Sequence, residues 1–160
     1  MKRIALLLFI FIFVVLSGCT ESPDITEKVR ENLYPFNGFE YDSINISVKG
    51  DKIYVVAKSS ELDGEDVYLF LNDNGTLILK SYCLEALPIG LKQKAIAIAL
   101  SNEQIFYNAN GIATVRRILP FTAEKFYQPK ELFSVTWHGN KTVSALIDIE
   151  EEKIVAIYIR

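Results

Sequence analysis

The stretch VYLFLNDNGTLILKSY, Val67 to Tyr82, decides the fold class. Val67, Leu69 and Leu71 alternate with Tyr68 and Phe70, the two-residue period of a strand. Asp73-Asn74-Gly75 interrupts the run, and Thr76 to Tyr82 resumes it. Asn-Gly between two such runs is the strongest short-range hairpin signal, because a two-residue turn of that hand needs positive φ at both central positions.

The same grammar extends in both directions. Upstream, Ile44, Ile46 and Val48 alternate with Asn45 and Ser47, Gly50-Asp51 turns the chain, and Ile53 to Ala57 returns. Ser59 to Asp66 is a polar, acidic loop. Downstream, strands are predicted over Ile112 to Leu119, Leu132 to His138, Thr142 to Asp148 and Ile154 to Ile159. Phe133, Val135 and Trp137 share one face. Turns fall at Gly139-Asn140 and Glu150-Glu151-Glu152.

Helical patterns precede each series. Ile25 to Tyr34 carries Val29 and Leu33 four apart, with Asp24 or Thr26 to cap it, Glu27 in its first turn and Pro35 to end it. Pro88 to Tyr107 contains LKQKAIAIALSNEQI (Leu91 to Ile105), with Ile89, Ile96, Ala99 and Leu100 on one face and Asn110-Gly111 as its stop. The chain therefore runs helix-then-strands twice. The expected class is α+β, two helix-plus-antiparallel-sheet repeats over 25–84 and 85–160, packed as two lobes or as one composite sheet.

The N-terminus has a different character. Ile4 to Leu16 is thirteen residues without a polar side chain, preceded by Lys2 and Arg3. A basic start, a short apolar run and small residues beyond it describe a secretory signal; a spanning helix needs about 20 apolar residues. Leu16-Ser17-Gly18-Cys19 resembles the prokaryotic lipoprotein signal at every motif position. That resemblance implies removal of 1–18, lipid (palmitate-type acyl chains) on the Cys19 sulfur, and a domain anchored to the cell membrane and facing outside the cytoplasm. Residues 19–24, with the polar Thr20-Glu-Ser-Pro-Asp24, form the tether. A disulfide between Cys19 and Cys83 is the weaker reading, since no framework of further cysteines supports it.

Removing Lys2 and Arg3 leaves 15 basic and 20 acidic residues, a formal net charge of −5. An acidic, mixed surface argues against nucleic acid as a partner. The one adjacent basic pair, Arg116-Arg117, is too small to form a phosphate-binding patch.

Residues Pro88 to Arg160 look like a PepSY domain, a helix followed by a three-stranded antiparallel sheet. The features that carry this are KAIAIAL (Lys94 to Leu100), FSVTWHG (Phe133 to Gly139) and ALIDIEEEKIVAIYI (Ala145 to Ile159), with an aspartate before the last turn. The long connection Phe121 to Lys130, with prolines at Pro120 and Pro129, departs from the family's pattern. The resemblance implies an extracytoplasmic, non-catalytic module that regulates a peptidase or envelope complex. The stretch 25–84 would be a degenerate copy.

Chemistry-bearing residues are sparse. His138 is the single histidine and lies beside an expected hairpin turn, where an exposed strand-end role is the simpler reading than a general base. Cys83, flanked by Tyr82 and Leu84, reads as a small packed hydrophobe. Glu61 to Asp66 and Asn72 to Gly75 lack the spacing of a calcium loop and coincide with turns. No cofactor or metal is expected. Tyr34, Phe36, Phe39 and Tyr41 form one aromatic group; Phe121, Phe126 and Tyr127 form a second, on a long connection, and are the candidate partner surface. Asn45, Asn74 and Asn140 each begin a glycosylation sequon. A non-enzymatic protein-binding or regulatory module is therefore expected. The alternative is a small-ligand carrier or enzyme with a pocket between helix and sheet.

Overall fold

The computed structural model describes residues 25–126 and 129–160. Eight strands form one antiparallel sheet whose order follows the chain. They are β1 (Ser43–Lys49), β2 (Lys52–Lys58), β3 (Asp66–Asp73), β4 (Thr76–Leu84), β5 (Ala113–Ile118), β6 (Leu132–His138), β7 (Thr142–Asp148) and β8 (Lys153–Ile159). The fold is thus α+β with a single sheet, all within the compact unit Asn32–Arg160. The first helix, α1 (Ile25–Glu31), precedes that unit in the chain and ends three residues before the predicted Tyr34.

The hairpin that decides the class closes as its sequence requires. Asn74 and Gly75 have φ of 50° and 87°, and Asp73 pairs with Thr76 across the turn. One register shift follows: Leu69 faces Ser81 while Phe70 faces Leu79, so Lys80 is the extra residue of a bulge in β4.

The long helix predicted from Pro88 to Tyr107 is two helices, α2 (Ile89–Leu100) and α3 (Glu103–Asn108). Asn102 causes the break. Its backbone is extended, and its side-chain oxygen accepts the N–H groups of Gln104 at 3.0 Å and Ile105 at 3.3 Å. Asparagine favours that capping position over a helix interior. The expected face meets the core except at one position, Ile89, and Ala95 joins it. Ala95 and Ala99 are fully buried, Ile96 and Leu100 are half-buried, and Ile89 is 59% exposed. Small side chains at 95 and 99 let the helix approach the sheet closely.

That approach forms the main core. Ala95, Ala99 and Ile105 pack with Val115, Phe133, Val135, Trp137, Val143, Ala145 and Ile147. Alternation along β6 puts Phe133, Val135 and Trp137 on this face, as predicted.

A single row of residues crosses all eight strands: Ile44, Ala57, Asp66, Leu84, Arg117, Phe133, Ile147 and Ile154. It is single because Leu84 opposite Arg117 is the one ladder pair between β4 and β5. On either side of that pair the two strands diverge. Beyond Leu84 the chain follows the loop before β3, with Asp63 and Leu87 exchanging both backbone hydrogen bonds at 3.1 Å. Gly64 makes this possible: its φ is +92°, and a Cβ there would lie 2.6 Å from the Glu85 carbonyl oxygen. Before the joint, β4 from Thr76 to Cys83 pairs with β3 alone.

Gly64→Ala is expected to destabilise the protein by roughly 1–3 kcal/mol, since it adds both a left-handed conformation and a backbone clash. Equilibrium urea unfolding measures this; an unchanged midpoint would mean that the Gly64–Glu85 contact is not as tight as described.

Candidate functional site

Two features converge on the β4–β5 joint. The first is a buried polar cluster around Arg117, which is 3% exposed. Its Nη1 donates to the Pro35 carbonyl at 3.1 Å and to Glu131 Oε2 at 3.4 Å. Its Nη2 donates to the Tyr34 carbonyl and lies 3.8 Å from Asp66 Oδ2. The Phe36 ring covers the guanidinium, 5.7 Å from ring centre to Cζ. A planar fork of donors suits two successive carbonyls in a way an ammonium does not.

Asp66 is fully buried beside it. Its Oδ1 accepts the Ala86 N–H at 2.8 Å, and its Oδ2 accepts the Tyr41 hydroxyl. The Tyr41 and Tyr68 hydroxyls are 2.7 Å apart, and Tyr68 in turn accepts the Tyr34 N–H at 3.2 Å. Burial pushes the Asp66 carboxyl up, against the opposing pull of these donors and of Arg117. Burial likewise raises Tyr68 to about 12 and Tyr41 further. Both phenols therefore stay protonated near neutral pH and act as hydrogen-bond donors. The cluster clamps the segment Tyr34-Pro35-Phe36 onto the sheet.

The second feature is an open groove of about 430 Å³ along the unpaired side of β4. Leu79, Lys80, Ser81 and Tyr82 form one wall; Ile118, Phe121, Thr122 and Lys125 form the other. The second wall exists because the long connection after β5 folds into α4 (Pro120–Ala123), followed by a 3-10 turn (Glu124–Phe126). Pro120 stands at the first helical position, where its fixed φ and missing N–H are tolerated. The Leu119 N–H donates to the Tyr82 hydroxyl at 3.1 Å, tying the two walls together. Phe121 is 49% exposed, and its ring lies 6.0 Å from both Tyr34 and Tyr82. Lys80 and Lys125 are exposed and have no ion-pair partner among the described residues.

The residues singled out from the sequence are placed unevenly. Cys19, with Leu16, Ser17 and Gly18, and also Tyr127, lie outside the described residues. Phe121 borders the seam groove, whereas Phe126 lines a separate shallow groove with Thr142, Ser144, Tyr158 and Arg160. The connection's aromatics are thus divided between two surfaces. Tyr34 from the earlier aromatic group joins Phe121, and Phe36 packs on Arg117 and on Phe39. Asn45, Asn74 and Asn140 are all exposed. His138 is exposed at the end of β6. Cys83 is half-buried, its thiol donating to Glu85 Oε1 at 3.4 Å, and burial pushes that thiol up, away from thiolate reactivity. Among the described residues no three His, Cys, Asp or Glu side chains converge as metal ligands.

Asp148, the aspartate before the last turn, is 1% exposed and organises that turn. Its Oδ1 accepts the N–H groups of Glu150 and Glu151, each at 3.1 Å, and its Oδ2 meets the Lys130 ammonium. Burial opposes its charge, but Lys130 and the turn's N–H groups prevail and hold the carboxyl below its ordinary value.

Sequence reasoning missed the roles of Arg117 and Asp66. Arg116 and Arg117 read alike as a basic pair, yet Arg116 is exposed and bound to Glu85 at 2.8 Å. Only the strand period separates them, since adjacent residues face opposite sides of a sheet.

Arg117→Ala is expected to cost about 3–5 kcal/mol, because it leaves the buried Asp66 without its neighbouring positive charge and two carbonyls without their donor; Arg117→Lys recovers only part of the loss. Urea unfolding of both variants tests this, and equal stability of wild type and Arg117→Ala would remove the clamp. Asp148 contributes stability above the ordinary carboxylate pKa that is lost as pH falls through its lower folded value. Asp148→Asn should therefore flatten the acid limb of stability against pH, read from unfolding midpoints. An unaltered limb would contradict the assignment. No protein-family model, no curated protein and no solved structure matches the chain.

Proposed function

We propose that this chain is a lipid-anchored, extracytoplasmic protein-binding module, without catalytic activity of its own, that holds a partner in the seam groove beside β4. The observation that carries the binding reading is the groove itself: a bare strand edge faces a half-exposed Phe121 across open space. Exposed aromatics beside a cleft are the usual anchors of protein interfaces. The Leu16-Ser17-Gly18-Cys19 motif supports the anchor and the location outside the cytoplasm.

In the same reading, 25–84 and 85–160 are two copies of one PepSY-like unit merged edge to edge. Three features support it. Each half contributes four sequential antiparallel strands. Each last hairpin turns through a positive-φ residue, Asn74 in one and Glu152 in the other. Each also carries one register shift, at Leu69/Phe70 and at Leu146/Ile147. The partner is a peptidase or another component of the cell envelope.

Two measurements test this. The intact mass of the membrane-extracted protein should correspond to a chain beginning at acylated Cys19; a mass that retains Met1 overturns the anchor. A photocrosslinker replacing Phe121 should trap an envelope protein in intact cells, while one replacing the distant exposed Val48 should not. Equal trapping at both positions, or none, overturns the binding reading.

A further inference from the structure

The two walls of the seam groove offer different chemistry. One wall is backbone. Alternate residues of β4 turn their N–H and C=O groups away from β3, and between Thr76 and Cys83 no described strand takes them up. The other wall is a helical turn that presents Phe121, Thr122 and Lys125. β1 and β8 also have a bare side, but what distinguishes β4 is this second wall running alongside the edge.

A bare edge pairs indiscriminately unless it is protected, and lysines and bulges are the usual protection. β4 has both at one position, because Lys80 is the bulged residue. Lys125 stands across the groove, and no carboxylate among the described residues lines it. This is a locally cationic site in a chain with 20 acidic and 17 basic residues. Protection by charge is selective: it repels a basic strand and admits one bearing carboxylates. Leu79, Tyr82, Ile118 and Phe121 supply apolar surface for the side chains that alternate with those carboxylates.

We infer that the seam groove binds an extended segment of another protein, with acidic and apolar side chains alternating, as an added strand on the free edge of β4. Main-chain hydrogen bonds to β4 supply affinity, and Lys80, Lys125 and Phe121 supply selectivity. This rests on the binding-module reading above and names the partner class for the same site. Lys80 and Lys125 are specificity-determining contacts; the buried Arg117 cluster holds the groove's frame and does not touch the added strand.

The test uses the full chain in detergent and a pool of unstructured peptides with randomised side chains. The wild-type chain should retain peptides enriched in alternating carboxylate and apolar residues and depleted in proline. A Lys80→Glu/Lys125→Glu chain should retain peptides enriched in lysine and arginine instead. Methylating the amide nitrogens along one edge of a retained peptide should weaken binding at least about tenfold. Identical retained compositions for the two chains, binding that survives methylation, or no retention at all would each overturn strand addition. Self-association of the chain without peptide retention also overturns it, by making a second copy the occupant. Crosslinking from position 121 together with no peptide retention would leave the binding module standing and refute strand addition alone.

Discussion

Arg117 is buried where β4 meets β5, and its guanidinium binds the Tyr34 and Pro35 carbonyls while facing Asp66 and Glu131. Removing such a charge from water costs several kcal/mol, and only a well-partnered site offsets that. The partners here come from three separate parts of the chain, the segment before β1, the start of β3 and the residue just before β6, and Arg117 itself brings in β5. Because Leu84 opposite Arg117 is the only ladder pair between the two strand sets, side chains must do at this joint what backbone pairing does elsewhere. The clamp makes one sheet of eight strands that could otherwise separate between β4 and β5.

The same scarcity of backbone pairing creates the groove. Had β4 and β5 paired along their length, β4 would have no free edge. They diverge because the chain between them does other work. Leu87 pairs back to Asp63, Lys92 bonds Asp63 at 2.7 Å, and α2 moves off to cover β5–β8. After β5, Pro120 turns the chain into α4 and places Phe121 across from the exposed edge. Stability and accessibility therefore come from one arrangement, with a rigid frame at Arg117 and an open edge a few residues away.

Much of this architecture was legible in the sequence. All eight strands followed from local chemistry alone, and Leu132–His138 and Thr142–Asp148 were bounded to the residue because glycine, asparagine and alternating apolar residues leave few choices. The break at Asn102 was less visible, since one capping side chain had to outweigh a long alanine- and leucine-rich pattern. The function of Arg117 could not be read at all: its partners are 51 residues away at Asp66 and 82 away at Pro35, as the hydrogen bond to Pro35 records. For the candidate site, Phe121 was identified as an exposed aromatic on a long connection, but its opposite wall was not. A free edge is a property of strand pairing, and a single lysine in an alternating run, as at Lys80, is too weak a local signal to mark one.

The most direct test of the account is residue-resolved amide hydrogen exchange across the sheet under native conditions. The open joint predicts an alternating pattern in β4 from Thr76 to Cys83: slow exchange for amides turned toward β3, fast exchange for those turned toward the groove. β3 and β6, each paired on both sides, should be protected throughout. Continuous protection along β4 would mean that β4 and β5 are closed against each other, and would contradict both the clamp's role and the groove.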